Sequence, residues 1–190
     1  MTLMAHPFRS SLVCIFFAAF LCASPPLRSQ TVEVFDNIDQ LKARIERAGD
    51  TTILLNFWAT WCAPCVAELP YFDQLRDYYG GQNVQILLVS LNFKSDIESK
   101  VIPFLQRHRT KSEIGLMADQ DLNAWIPLIY DPWDGAIPAT LVLQGDNFAF
   151  KEGEFESLTE LDTFARPLIL DSAAYVGKKM PCADLGNGKK

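Results

Sequence analysis

Asn56-Phe57-Trp58-Ala59-Thr60-Trp61-Cys62-Ala63-Pro64-Cys65 sets two thiols three residues apart between an apolar run and a helix. Upstream, Ile53 to Trp58 is a short, nearly continuous apolar stretch, the pattern of a strand buried on both faces. Pro64 falls near the first helical position, where its missing N–H costs little. Downstream, Val66, Leu69, Phe72, Leu75 and Tyr79 recur at helical spacing until Gly80-Gly81. Pro70 lies inside that span and predicts a kink. A helix start offers unpaired N–H groups and the positive end of the dipole, which favour a thiolate. Such a location lowers a cysteine pKa from about 8.5 into roughly the 3.5–7.5 range. Thiols so placed close and reopen a disulfide within one helical turn.

A Cys-x-x-Cys is also half of a zinc site. The other cysteines are Cys14, Cys22 and Cys182, and the histidines are His6 and His108. Cys14, Cys22 and His6 lie in a segment expected to be removed. A zinc site would therefore have to bring His108 and Cys182 together from far apart.

The chain has 190 residues and a net charge of −6, enough for one domain with a sizeable core plus appendages. Arg9 and then the apolar stretch Leu12 to Ala23 read as an export signal, too short to span a bilayer comfortably. Cleavage after Ala23 or Ser24 is disfavoured by Pro25, and a site near Ser29 or Gln30 is the alternative. Two other readings are a lipidated Cys22, against which bulky Leu21 argues, and an uncleaved anchor. Losing Arg9 and Arg28 takes the charge to about −8, which favours solubility and argues against a nucleic-acid partner. The expected layout is an export segment or anchor at 1–29, a domain at 30–172 and a flexible tail at 173–190, polar and Gly/Lys-rich from Gly177.

Within the domain, Asp36 is the expected cap of a helix through Ile38, Leu41, Ile45 and Ala48, ended by Gly49-Asp50. Val84 to Leu91 reads as a second buried strand, so strand, helix and strand form a right-handed parallel crossover. Asp96 to about His108 reads as a helix, followed by apolar Ile114 to Met117. Leu122 to Tyr130 reads as a helical turn broken by Pro127. Thr140–Leu143 and Phe148–Lys151 flank Gly145-Asp146-Asn147 as an antiparallel hairpin. Leu158, Leu161, Phe164, Ala165 and Leu168 make a last amphipathic helix.

Residues from about Glu33 to Leu170 resemble a thioredoxin-fold domain of the TlpA/ResA-like branch of exported thiol-disulfide oxidoreductases. The resemblance is carried by the quoted motif, by Glu68-Leu69-Pro70 and by Ile137-Pro138-Ala139-Thr140. It implies an α/β thioredoxin-like fold. It further implies a central mixed sheet flanked by helices, with an insertion between the βαβ half and the cis-proline hairpin.

The resemblance also assigns roles. Cys62 is the expected nucleophile, forming a mixed disulfide, and Cys65 the resolving thiol. Pro138 corresponds to a cis proline facing the cysteines, so that the backbone of Ile137 pairs with an extended partner chain. Without the resemblance it is simply a proline at a strand start. Glu68, three residues beyond Cys65, matches a glutamate near the thiols. Partial burial would raise its pKa and let it take the Cys65 proton; the rival is an ordinary first-turn glutamate. Asn56 replaces the buried aspartate of plain thioredoxins and shifts proton duty toward Glu68. Trp61, Ala63, Pro64, Ile137 and Trp133 are the expected partner-binding surface, with plain packing an equal alternative for Trp133. Trp58 is equally a core residue. His108, between Arg107 and Arg109, is expected on a solvated helix end, and Cys182 reads as a free thiol, with a disulfide from tail to domain as the alternative.

No metal or organic cofactor is expected beyond the redox-active Cys62–Cys65 disulfide. The implied partners are client proteins bearing cysteines or disulfides, such as apocytochrome c, and a membrane thiol-disulfide electron donor. The protein is expected to act as a monomer in the periplasm, with a tether through its N-terminal segment as an option. The rivals are an oxidant or isomerase and a non-catalytic binding module. A peroxidase of the peroxiredoxin kind would carry Pro-x-x-x-Thr-x-x-Cys at its reactive cysteine, and the chain has no such run.

Overall fold

The computed structural model describes residues 31–80 and 83–170. The export segment, Cys14, Cys22, Gly81, the tail and Cys182 lie outside the described residues. The order of elements is β1 (Val32–Phe35), α1 (Ile38–Glu46), β2 (Thr52–Trp58), α2 (Ala63–Tyr79) and β3 (Val84–Ser90). After a 3-10 turn (Lys94–Asp96) and a π-turn (Ile97–Val101) come α3 (Ile102–His108), β4 (Glu113–Met117) and α4 (Leu122–Ile129). β5 (Ala139–Gln144), β6 (Asn147–Glu152) and α5 (Leu158–Leu170) complete the fold.

The strands form one six-stranded mixed sheet in the order β1-β4-β3-β2-β5-β6. β1, β4, β3 and β2 run parallel, and β5 and β6 pair antiparallel. β2 is central and buried at every position, as its unbroken apolar run requires. Its alternation divides the core. Leu54 and Trp58 face α2, α3 and α5, whereas Ile53, Leu55 and Phe57 face α1 and α4. Asn56 falls between Leu54 and Trp58 and so points to the α2 side.

The inserted stretch builds part of the sheet. β4 wedges between β1 and β3, where Gly115 gives the room that Phe35 occupies: a Cβ there would meet the Phe35 ring at 2.6 Å. Arg44, buried on α1, binds Glu33 of β1, Glu113 of β4 and Gln85 of β3, fastening that edge. β1 itself was not expected, since four residues give too short a period to distinguish from loop.

Several local expectations are corrected. α1 is capped by Asn37, whose side chain accepts from the Gln40 N–H at 3.1 Å, while Asp36 pairs with Lys94 at 2.7 Å. Pro127 lies inside α4 without breaking it. The 96–108 span is not one α-helix. Pro103 lacks the N–H that would bond Ser99, and the preceding turn widens into a π-turn. The hairpin turn is tighter than expected: Gln144 pairs with Asn147, leaving only Gly145-Asp146, with Gly145 at φ +56°.

Candidate active site

β2 ends at Trp58 and the chain turns through Ala59, Thr60 and Trp61 into α2, whose N-cap is Cys62. The cap fixes the sulfur, because Cys62 Sγ accepts from the Cys65 N–H at 3.3 Å. Cys62 and Cys65 are joined in a disulfide within the first helical turn. Cys65 is fully buried and Cys62 is 6% exposed, so of the two residues Cys62 is the one that reaches the surface. Ala63 and Pro64 lie exposed between them, and Trp61 is exposed beside Cys62.

Asn92, just beyond β3, holds this turn. Its Oδ1 accepts from the Thr60 N–H and the Ser90 hydroxyl, both at 3.0 Å, and its Nδ2 donates to Thr60 Oγ1 at 2.9 Å. Sequence reading missed Asn92, because no local pattern links it to residues some thirty positions earlier.

The Ile137–Pro138 peptide bond is cis, and it sits opposite the disulfide. The Ile137 carbonyl oxygen lies 3.8 Å from Cys62 Sγ. Ile137 is half-buried and Pro138 buried. Trp133 does not line this surface. It is 3% exposed and packs on Phe57 at 4.8 Å between ring centroids, and its Nε1 donates to the Ala136 carbonyl at 2.9 Å. Its place is therefore beneath the proline turn: of the two expected roles the packing one holds and the groove position is corrected. Trp58 is likewise core. His108 is exposed at the end of α3, stacked on Phe104 at 4.1 Å.

Glu68 is fully buried on α2, one turn beyond Cys65. Its Oε1 accepts from Asn56 Nδ2 at 2.7 Å and its Oε2 accepts from the Phe155 N–H at 2.7 Å. Asn56 Nδ2 also donates to Thr140 Oγ1 at 3.0 Å, and Asn56 Oδ1 has no partner. Burial pushes the Glu68 carboxyl up to about 7, against the pull of the Phe155 and Asn56 bonds and the Lys151 charge. A carboxyl tuned near neutrality takes up and gives back a proton at physiological pH. Among the described residues, no group of three or more His, Cys, Asp or Glu side chains is placed to hold a metal ion.

A disulfide-bonded cysteine pair at a helix start, with a cis-proline turn beside it at one end of a mixed sheet flanked by helices, is the arrangement of a thioredoxin fold. The chain belongs to the AhpC/TSA family, whose model matches residues 28–148. The thiol-disulfide oxidoreductase ResA of Oceanobacillus iheyensis is 38% identical over 63 residues, 33% of each chain. ResA of Geobacillus thermodenitrificans is 38% identical over 92 residues, 46% of this chain and 51% of that one. The matched region thus spans between a third and about half of these ResA proteins. A thioredoxin of Coprinus comatus is 32% identical over 87 residues, 44% of this chain and 80% of that one.

Solved structures agree on the fold. The secreted thiol-disulfide isomerase of Corynebacterium glutamicum superposes with a TM-score of 0.54 at 19% identity, covering 66% of this chain and 74% of that one. A thiol:disulfide interchange protein of Chlorobium tepidum gives 0.52 at 19% identity, covering 65% and 83%.

Proposed function

We propose that the protein is an exported reductant of client disulfides, working as a monomer by dithiol-disulfide exchange. The observation that carries this reading is the 3.8 Å approach of Cys62 Sγ to the Ile137 carbonyl, which sets that sulfur beside a backbone edge suited to an extended chain. In the reduced protein the Cys62 thiolate attacks one sulfur of a client disulfide. A Cys62–client bond forms, and the other client sulfur leaves as a thiolate that takes a proton from water. Cys65 then gives its proton to Glu68, and its thiolate attacks Cys62 Sγ. The Cys62–Cys65 bond forms and the second client sulfur leaves, to be protonated in turn. The client gains two electrons and the protein loses two.

Trp61, Ala63 and Pro64 flank the attacked sulfur, and Ile137 and Pro138 present the docking edge. The resemblance to TlpA/ResA-like proteins supports clients such as apocytochrome c, a membrane thiol-disulfide donor that restores the dithiol, and no metal or organic cofactor. The charge and hydropathy pattern of the sequence supports an export segment or anchor at 1–29, a domain at 30–172 and a tail at 173–190. Among the described residues no helix is long and apolar enough to cross a membrane.

The test is a Cys65→Ser variant expressed with its native export segment. Clients should remain covalently attached to Cys62 and be released by dithiothreitol. Recovery of no adducts, with function retained in a Cys62→Ser/Cys65→Ser double variant, would replace this reading with a binding module. The potential of the pair checks direction. About 30 mV corresponds to 1.4 kcal/mol, so a value near that of strong oxidants would reverse it.

A further inference from the structure

The loop after β6, Gly153-Glu154-Phe155, touches both halves of the site. The Gly153 N–H donates to the Pro138 carbonyl at 2.8 Å, and the Phe155 N–H donates to Glu68 Oε2 at 2.7 Å. Gly153 sits at φ +91°, a conformation that glycine adopts without strain.

Lys151 reaches over this loop. It pairs across the hairpin with Thr140, whose hydroxyl accepts from Asn56, so it lies on the sheet face that carries Glu68. Its ammonium turns back over the loop, donating to the Glu154 carbonyl at 2.6 Å and the Gly153 carbonyl at 3.4 Å. It stands 4.7 Å from the centre of the Phe155 ring and 3.6 Å from Glu160 Oε1 of α5.

We propose that Lys151 is a positioning residue of the redox site: by clamping the carbonyls of Gly153 and Glu154 it holds the Phe155 N–H on Glu68, and so sets the pH at which that acid takes its proton. The proposal rests on the reading of Glu68 as the acceptor of the Cys65 proton.

Two consequences of the clamp act in one direction. The Phe155 N–H stabilises the carboxylate by a charge-assisted bond, and the nearby ammonium stabilises it through space. Losing Lys151 weakens both and leaves Glu160 without this counter-charge. Glu154 opposes the carboxylate form in either case. Elsewhere around Glu68 the packed elements add little: β2 and β5 present uncharged Asn56 and Thr140, and Cys65 on α2 is in the disulfide. On α5, Asp162 is held by Tyr79, at 2.6 Å, and by Arg166.

The test uses the full oxidised protein with the Glu68 carboxyl carbon followed by NMR through a pH titration. Lys151→Met keeps the side-chain length and packing over Phe155 but removes the charge and donors, and Lys151→Arg keeps both. The expected result is a midpoint at least one pH unit higher in Lys151→Met, a tenfold gain in proton affinity, with Lys151→Arg close to the parent. The pH profile of single-turnover insulin reduction by the reduced protein should move with it. An unchanged midpoint in Lys151→Met overturns the proposal, even where that variant melts earlier. Failure of the underlying reading looks different: Glu68→Gln would then leave the parent's pH profile intact. If Glu68→Gln removes the inflection and Lys151→Met does not move it, the lysine alone loses its role.

Discussion

Asn56 Nδ2 lies 2.7 Å from Glu68 Oε1, so the strand that leads into the cysteines donates a hydrogen bond to the acid that follows them. The amide neither gains nor loses a proton, which leaves Glu68 as the titrating member of the pair. The bond favours the carboxylate, burial favours the acid, and burial has the larger effect.

Replacing Glu68 by Gln should change how stability depends on pH. The carboxyl titrates near 7 in the fold and near 4.5 when unperturbed, so the folded protein binds the extra proton between those values. Its contribution is fully present below pH 4.5 and is lost as pH rises through about 7. A shift of that size corresponds to about 3 kcal/mol. Urea denaturation of the oxidised protein at pH 4.5 and pH 8 should show Glu68→Gln gaining on the parent by about that amount at the higher pH. A stability difference that stays flat across this range contradicts the assignment.

Asn56→Asp should set two carboxylates within hydrogen-bonding distance in a dry site. Two such acids share one proton and titrate as a pair, so the second ionisation is strongly resisted. At pH 4 the variant should melt close to the parent. At pH 8 it should lose about 3 kcal/mol, the cost of an uncompensated buried charge. Equal melting losses at both pH values would show that shape, not charge, is what the site requires of Asn56.

The cysteine motif, the flanking strand and helix, and the hairpin were legible in the sequence because each is written in consecutive residues with one dominant period. Glu68 was singled out by the resemblance, and its three-residue spacing from Cys65 set it one turn along the same helix. What escaped depends on contacts between distant segments. The wedging of β4 between β1 and β3 turns on Gly115 leaving space for Phe35, and nothing near Gly115 announces that neighbour. Trp133 followed the same rule. Its closeness in sequence to Ile137-Pro138 suggested the groove, while its packing on Phe57 places it under the turn.

Asn92→Ala tests whether the turn before Cys62 needs its brace. The substitution removes the acceptor of the Thr60 N–H and the Ser90 hydroxyl and the donor to Thr60 Oγ1. Unsatisfied buried groups cost about 1–3 kcal/mol each, partly offset here where water reaches Thr60. A loss of about 2 kcal/mol in chemical denaturation is expected, with insulin reduction slowed several-fold as Thr60 and Trp61 relax. Lost stability with an unaltered rate would mean that the turn is set by the helix cap alone.

Gly135→Ala addresses the other wall of the site. Gly135 holds φ +93°, and a Cβ there would meet Ile126 Cδ1 at 2.8 Å. The turn around it is tied at both ends of Ala136, whose N–H donates to Asp134 Oδ1 at 2.8 Å and whose carbonyl accepts from Trp133 Nε1 at 2.9 Å. Strain at Gly135 is therefore passed to Ile137, whose carbonyl stands beside Cys62 Sγ. Such a conformation costs a side-chain-bearing residue about 1–3 kcal/mol. The expected outcome is a loss of that order in stability, with a higher KM for insulin and a nearly constant rate at saturation, since the cysteines themselves do not move. A KM equal to the parent's would disconnect this turn from client binding.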